Sequence, residues 1–106
     1  MEPDQETIFA LASGSGVSGV AVIRLSGPES WTIVRRLTRK ALPKPRYLAR
    51  RWIVGSDGER LDDALVVLFE KGASFTGEES AEIHCHGSRA VVEAIGNELA
   101  AIEGCR

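Results

Sequence analysis

Apolar positions recur along the chain in two periods, and the switches between them divide its 106 residues into strands and helices. Thr7 to Leu11 reads as a short strand, followed by a flexible glycine-serine loop from Ala12 to Gly19. Val20 to Leu25 is a near-continuous apolar run, which predicts a strand buried on both faces. Ser26-Gly27-Pro28 breaks the run. Trp31, Val34, Leu37 and Ala41 then recur at three- and four-residue spacing, predicting a helix capped by Glu29 or Ser30 and stopped by Pro43. Tyr47 to Val54 and Asp63 to Glu70 predict two strands, and Gly55-Ser56-Asp57-Gly58 between them is a hairpin signal. A last helix is expected from Ser88 to about Glu103, with Val91, Val92, Ile95, Leu99 and Ile102 as its apolar stripe and Gly104 as a suitable cap. Strands and helices mix without regular βαβ alternation, so the fold class is α+β, with one domain spanning residues 1–106.

The segment Ser74-Phe75-Thr76-Gly77-Glu78-Glu79-Ser80-Ala81-Glu82-Ile83-His84-Cys85-His86-Gly87 carries most of the candidate chemistry. A turn at Gly77 leads into a strand on which Glu82, His84 and His86 share one parity while Ala81, Ile83 and Cys85 take the other. One face is thus small and apolar, and the other is a row of one carboxylate and two imidazoles. Arg24 is the second residue of interest, because it interrupts the apolar run Val20-Ala21-Val22-Ile23-Arg24-Leu25. A guanidinium in such a place either pairs with a carboxylate or reaches a site at the strand end. Glu82 is the candidate partner. It is equally a candidate anchor for a flat heterocycle with an amidine-like edge, such as a pterin or guanine, which offers two parallel N–H donors. His84 and His86 would then supply stacking or hydrogen bonds, or merely border the site.

Other chemistries are weaker on spacing. Glu82, His84 and His86 have the residue types of zinc ligands, but i and i+4 on a strand lie about 13 Å apart, too far for one ion on a straight strand. No metal site is expected. The glycine loop lacks the Gly-x-x-x-x-Gly-Lys-Ser/Thr of a phosphate-binding loop, and a strand follows it where such a loop needs a helix. No Ser-His-Asp or Cys-His arrangement can be assembled, so no catalytic residue is assigned.

Composition narrows the class. The chain is 43% hydrophobic and 26% charged, as expected of a folded domain, and its apolar runs are too short to span a membrane. An acidic N-terminus and two ill-spaced cysteines, Cys85 and Cys105, point to the cytoplasm and a reducing environment. The net charge of −2 conceals an asymmetry. Between Ser30 and Ser56 there is no acidic residue, while Arg35, Arg36, Arg39, Lys40, Lys44, Arg46, Arg50 and Arg51 all fall there. That stretch is either a phosphate-contacting surface, as in an RNA-binding domain, or a solvated helix face and exposed strand.

Several separated segments resemble the N-terminal domain of the tRNA-modification GTPase family MnmE/TrmE. They are Glu6-Thr7-Ile8, Gly19-Val20-Ala21-Val22-Ile23-Arg24-Leu25-Ser26-Gly27-Pro28, Pro45-Arg46-Tyr47, Leu61-Asp62-Asp63, and Ser74 to Glu79 continuing through Glu82 to His86-Gly87. The chain departs from the family pattern with Val17 in the glycine loop, with Ala21, and with His84-Cys85-His86 where a Gln-Gly-His run is common. The resemblance implies a mixed or antiparallel sheet with two main helices, related to folate-dependent aminomethyltransferases. It implies a homodimer that binds 5-formyl- or 5,10-methylene-tetrahydrofolate through Arg24 and Glu82, with His84 and His86 as weaker neighbours. It further implies a longer protein whose helical and GTPase domains lie beyond Arg106, the latter using GTP, Mg²⁺ and K⁺. With the flavin-dependent partner MnmG, that protein would help install a 5-carboxymethylaminomethyl group on the wobble uridine of tRNA. A stand-alone RNA-binding domain using residues 35–51 is the alternative, and a metal-dependent hydrolase using Glu82, His84 and His86 is a weaker third.

Overall fold

A computed structural model describes residues 6–12, 19–72 and 77–106. Five strands and two helices follow one another as β1 (Ile8–Leu11), β2 (Val20–Ser26), α1 (Ser30–Thr38), β3 (Ala49–Val54), β4 (Arg60–Phe69), β5 (Ser80–His86) and α2 (Arg89–Ala100). The strands form one sheet in the order β1-β2-β5-β4-β3, and every strand pair in it is antiparallel. The α+β class with two main helices therefore holds. β5, which carries the polar row, lies at the centre of the sheet.

Both helices pack on one face. Ile33, Val34 and Leu37 of α1 and Ile95 and Leu99 of α2 join a core with Ala21, Ile23, Leu25, Ala64, Val66, Leu68, Ala81, Ile83 and Cys85. Those strand residues share one parity, as a half-covered sheet requires. The opposite face is covered by no helix among the described residues. Here the structure corrects the reading of Val20 to Leu25 as a strand buried on both faces: burial alternates, and Val20 and Val22 lie on the open face.

Local chemistry explains the boundaries. α1 stops at Thr38, three residues short of Ala41, because Arg39 adopts a left-handed conformation (φ 55°) and its N–H closes on the Arg35 carbonyl. α2 ends at Ala100 rather than near Glu103, and Gly104 (φ 86°) serves a later turn that brings Cys105 beside Thr7. β3 begins at Ala49 and not Tyr47, while β4 begins earlier than expected, at Arg60. In the connecting loop Gly58 takes positive φ (88°) and the Asp57 carboxylate accepts the Glu59 N–H at 2.9 Å. Ser88, where the sequence started this helix, instead caps α2 by accepting the Val91 N–H, and the helix begins at Arg89. The glycine-serine loop at 13–18 and Ser74-Phe75-Thr76 lie outside the described residues. No helix among the described residues is long and apolar enough to cross a membrane.

The start of α1 is tied to the entry of β5, which positions the candidate site. The Ser30 hydroxyl donates to the Glu79 carbonyl (3.1 Å), and the Trp31 indole N–H donates to the Ser80 carbonyl (3.0 Å). Buried Thr7 accepts the Glu29 N–H at 2.9 Å, closing the helix N-terminus against the first strand.

Candidate functional site

Antiparallel register converts the polar row of β5 into a cluster. Arg24 of β2 sits directly across from Glu82, and Val22 across from His84. On the other side of β5, Val67 faces Glu82 and Leu65 faces His84. All of these side chains point to the open face, so the charged group has an apolar frame.

Arg24 donates to a single oxygen of Glu82, from Nε at 3.1 Å and from Nη2 at 2.8 Å. The second oxygen, Oε1, lies 2.9 Å from Nε2 of His84. The Glu82 side chain is 16% exposed and that of Arg24 is 34% exposed. Burial alone pushes the Glu82 carboxyl up, but the hydrogen bonds from His84 and Arg24, with the Arg24 charge, outweigh it. The net displacement is downward, so Glu82 is ionised at neutral pH. A carboxylate offers about four lone-pair sites, of which three are engaged here. A ligand presenting two parallel donors can therefore use Glu82 only if Arg24 gives up part of its hold on Oε2.

His86 does not join this group. Its Nδ1 lies 2.7 Å from Asp62, and its backbone N–H donates to the other oxygen of the same carboxylate at 2.9 Å. The paired register between β4 and β5 ends at Leu65–His84, so Asp62 supplies an acceptor that the ladder no longer provides. The sequence had pointed to the Leu61-Asp62-Asp63 segment without giving Asp62 a role. An acidic residue two positions upstream of the β4 apolar run is the signal that was available. Neighbouring Asp63 pairs instead with Arg50 of β3, whose hydrogen bond lowers the Asp63 carboxyl.

A cleft of about 210 Å³ opens beside the cluster, lined by Gly19, Val20, Leu65, His84, His86 and the Arg50–Asp63 pair. Among the described residues no group of three or more His, Cys, Asp or Glu side chains is placed to hold a metal ion. Cys85 points into the core, where burial raises its thiol above the usual range.

Comparison with known proteins decides the family. Residues 7–106 match the family described as GTP-binding protein TrmE N-terminus. The chain belongs to this TrmE N-terminal family. Relatives include the tRNA modification GTPase MnmE of Rhizobium meliloti, 52% identical over 101 residues that make up 95% of this chain and 23% of that protein. The MnmE of Chelativorans is 48% identical over 98% of this chain and 23% of the relative. A zebrafish protein named 5-taurinomethyluridine-[tRNA] synthase subunit GTPB3, mitochondrial, is 49% identical over 98% of this chain and 21% of its own length. The TrmE-like chain thus spans less than a quarter of the curated relatives it matches.

Proposed function

We propose that this chain is the tetrahydrofolate-binding and dimerisation domain of a longer tRNA modification GTPase, one that helps install a 5-carboxymethylaminomethyl group on the wobble uridine. The observation that carries the reading is Glu82: an ionised carboxylate at the centre of an open sheet face, held between Arg24 and His84. Its donor-accepting geometry suits the amidine-like edge of a reduced pterin, with 5-formyl- or 5,10-methylene-tetrahydrofolate as the ligand. When bound, the folate would supply the one-carbon unit. The protein's part is to orient it: Glu82 takes the pterin edge, and Arg24, released from Oε2, contacts the cofactor. His84 keeps Glu82 ionised and aligned, while His86, fixed by Asp62, borders the cleft.

The size of the cleft supports a homodimer. At about 210 Å³ it falls below the roughly 300–1,000 Å³ of pockets that enclose ligands of folate's size. The same open face exposes Ile8, Val20 and Leu65, an apolar surface that a second copy would cover while completing the cavity. A face covered in that way also accounts for the two-sided apolar run of β2.

GTP, Mg²⁺ and K⁺ belong to the GTPase domain, which we place outside this chain, and the flavin-dependent MnmG and tRNA are partners of the full-length protein. Two buried free thiols are in keeping with the cytoplasm.

Calorimetric titration with 5-formyltetrahydrofolate tests the reading. Wild-type protein is expected to bind saturably, and Glu82→Ala to bind at least about a hundredfold more weakly, since two charge-assisted bonds of roughly 1.5–3 kcal/mol each are lost. Equal affinity of wild type and Glu82→Ala would remove the central residue from the proposal.

A further inference from the structure

A second cleft, of about 350 Å³, lies between the end of α1 and the β3–β4 edge of the sheet. We propose that it binds single-stranded RNA, with arginines on the phosphates and one base stacked on Trp52.

The lining gathers cations from three elements. Arg39 and Lys40 follow α1, Arg50 and Arg51 come from β3, and Arg60 comes from β4. Asp63 is the one carboxylate in this lining, and Arg50 already occupies it. Trp52 stands among them 44% exposed, with the Arg60 guanidinium 4.4 Å from its ring centroid. Arg51 gives Nη1 to the Arg50 carbonyl and Nη2 to the Ala41 carbonyl, while its buried Nε has no acceptor among the described residues. A phosphate oxygen is the acceptor such a guanidinium meets when it turns into the cleft.

Charge alone would suit any polyanion. The exposed indole selects among them, because an acidic peptide satisfies the cations but offers no flat face to the ring. A nucleotide offers both, and only an unpaired strand has its base faces free. The surroundings favour RNA: relatives of this chain are named for acting on tRNA. The two clefts also share a wall, since the Arg50–Asp63 pair lines both. A strand lying in the basic cleft would extend toward His84 and Glu82.

Fluorescence titration tests this, in a Trp31→Phe background where Trp52 is the sole tryptophan. The probe is an oligouridylate of about twelve nucleotides, long enough for a site of ordinary size. Saturable quenching is expected, with affinity falling roughly twentyfold between about 50 and 200 mM salt if three phosphates are contacted. Followed by anisotropy of a labelled oligonucleotide, Trp52→Ala should weaken binding about tenfold or more. The exposed-charge variant Lys40→Gln/Arg60→Gln, which leaves the core intact, should weaken it and flatten the salt slope. RNA binding is expected in the absence of any folate, so failure of the folate reading leaves this one standing. Unchanged affinity in both the Trp52 and the Lys40/Arg60 variants, or equal affinity for oligoglutamate, would overturn it.

Discussion

Gly27→Ala is expected to destabilise the domain by about 3–5 kcal/mol, enough to unfold much of a protein of ordinary marginal stability. Gly27 has φ 137°, a conformation open to glycine and strained by roughly 1–3 kcal/mol for a residue with a Cβ. A Cβ built there would also lie 2.7 Å from the Thr7 Cα and 2.8 Å from the Glu6 carbonyl oxygen. Those are backbone atoms that cannot swing aside, and forcing such a contact adds roughly 1–3 kcal/mol. The position matters because Gly27 N–H also bonds the Glu79 carbonyl at the entry to β5, while Thr7 closes the start of α1. One methyl group therefore disturbs the first strand, the helix start and the approach to Glu82 together. Urea denaturation read by circular dichroism measures the effect, and a loss below about 1 kcal/mol would mean the chain relaxes around the new Cβ.

The second large effect concerns Arg24→Ala, which is expected to cost about 1–2 kcal/mol at neutral pH. Breaking a fully buried pair costs roughly 3–5 kcal/mol, but Arg24 is a third open to water and its contribution is discounted accordingly. The loss should depend on pH with a definite sign. Glu82 has its folded pKa displaced downward from the ordinary glutamate value of about 4.3. Its contribution is therefore present above that value and disappears as pH falls through the lower folded pKa. Removing Arg24 removes part of that displacement, so the gap between wild type and variant should be full above the ordinary glutamate range and close progressively as pH falls below it. A gap that stays constant across this range would show that Arg24 acts by packing and not through Glu82.

Where local rules suffice, the sequence was readable. Alternation along residues 80–86 foretold which face of β5 is polar, and the Asp57-Gly58 turn was legible from turn chemistry. The juxtaposition of Arg24 with Glu82 could be suspected, because an arginine in an apolar strand needs an acceptor and one carboxylate stood at matching parity. Register turned that into a contact of 2.8 Å, and register is a property of two strands 58 residues apart, not of either alone. The partner of His86 was illegible for the same reason: Asp62 reaches it only because the β4–β5 ladder stops short. The apolar run of β2 misled on burial, since hydrophobicity records that a face avoids water and not which layer covers it. The basic stretch left two readings open, a phosphate-contacting surface or a solvated helix face and exposed strand, and only folding brings part of it to a cleft with Trp52 and Arg60.

We propose that Glu82, between Arg24 and His84, receives the folate. The most direct test is an NMR titration of isotope-labelled protein with 5-formyltetrahydrofolate, following the Arg24 Nε–H and the His84 ring signals. The Arg24 Nε–H resonance is expected to shift as its bond to Glu82 is released, His84 to respond with it, and both to saturate at one ligand per chain. Binding that leaves these two signals unmoved while others shift would place the ligand elsewhere and contradict it.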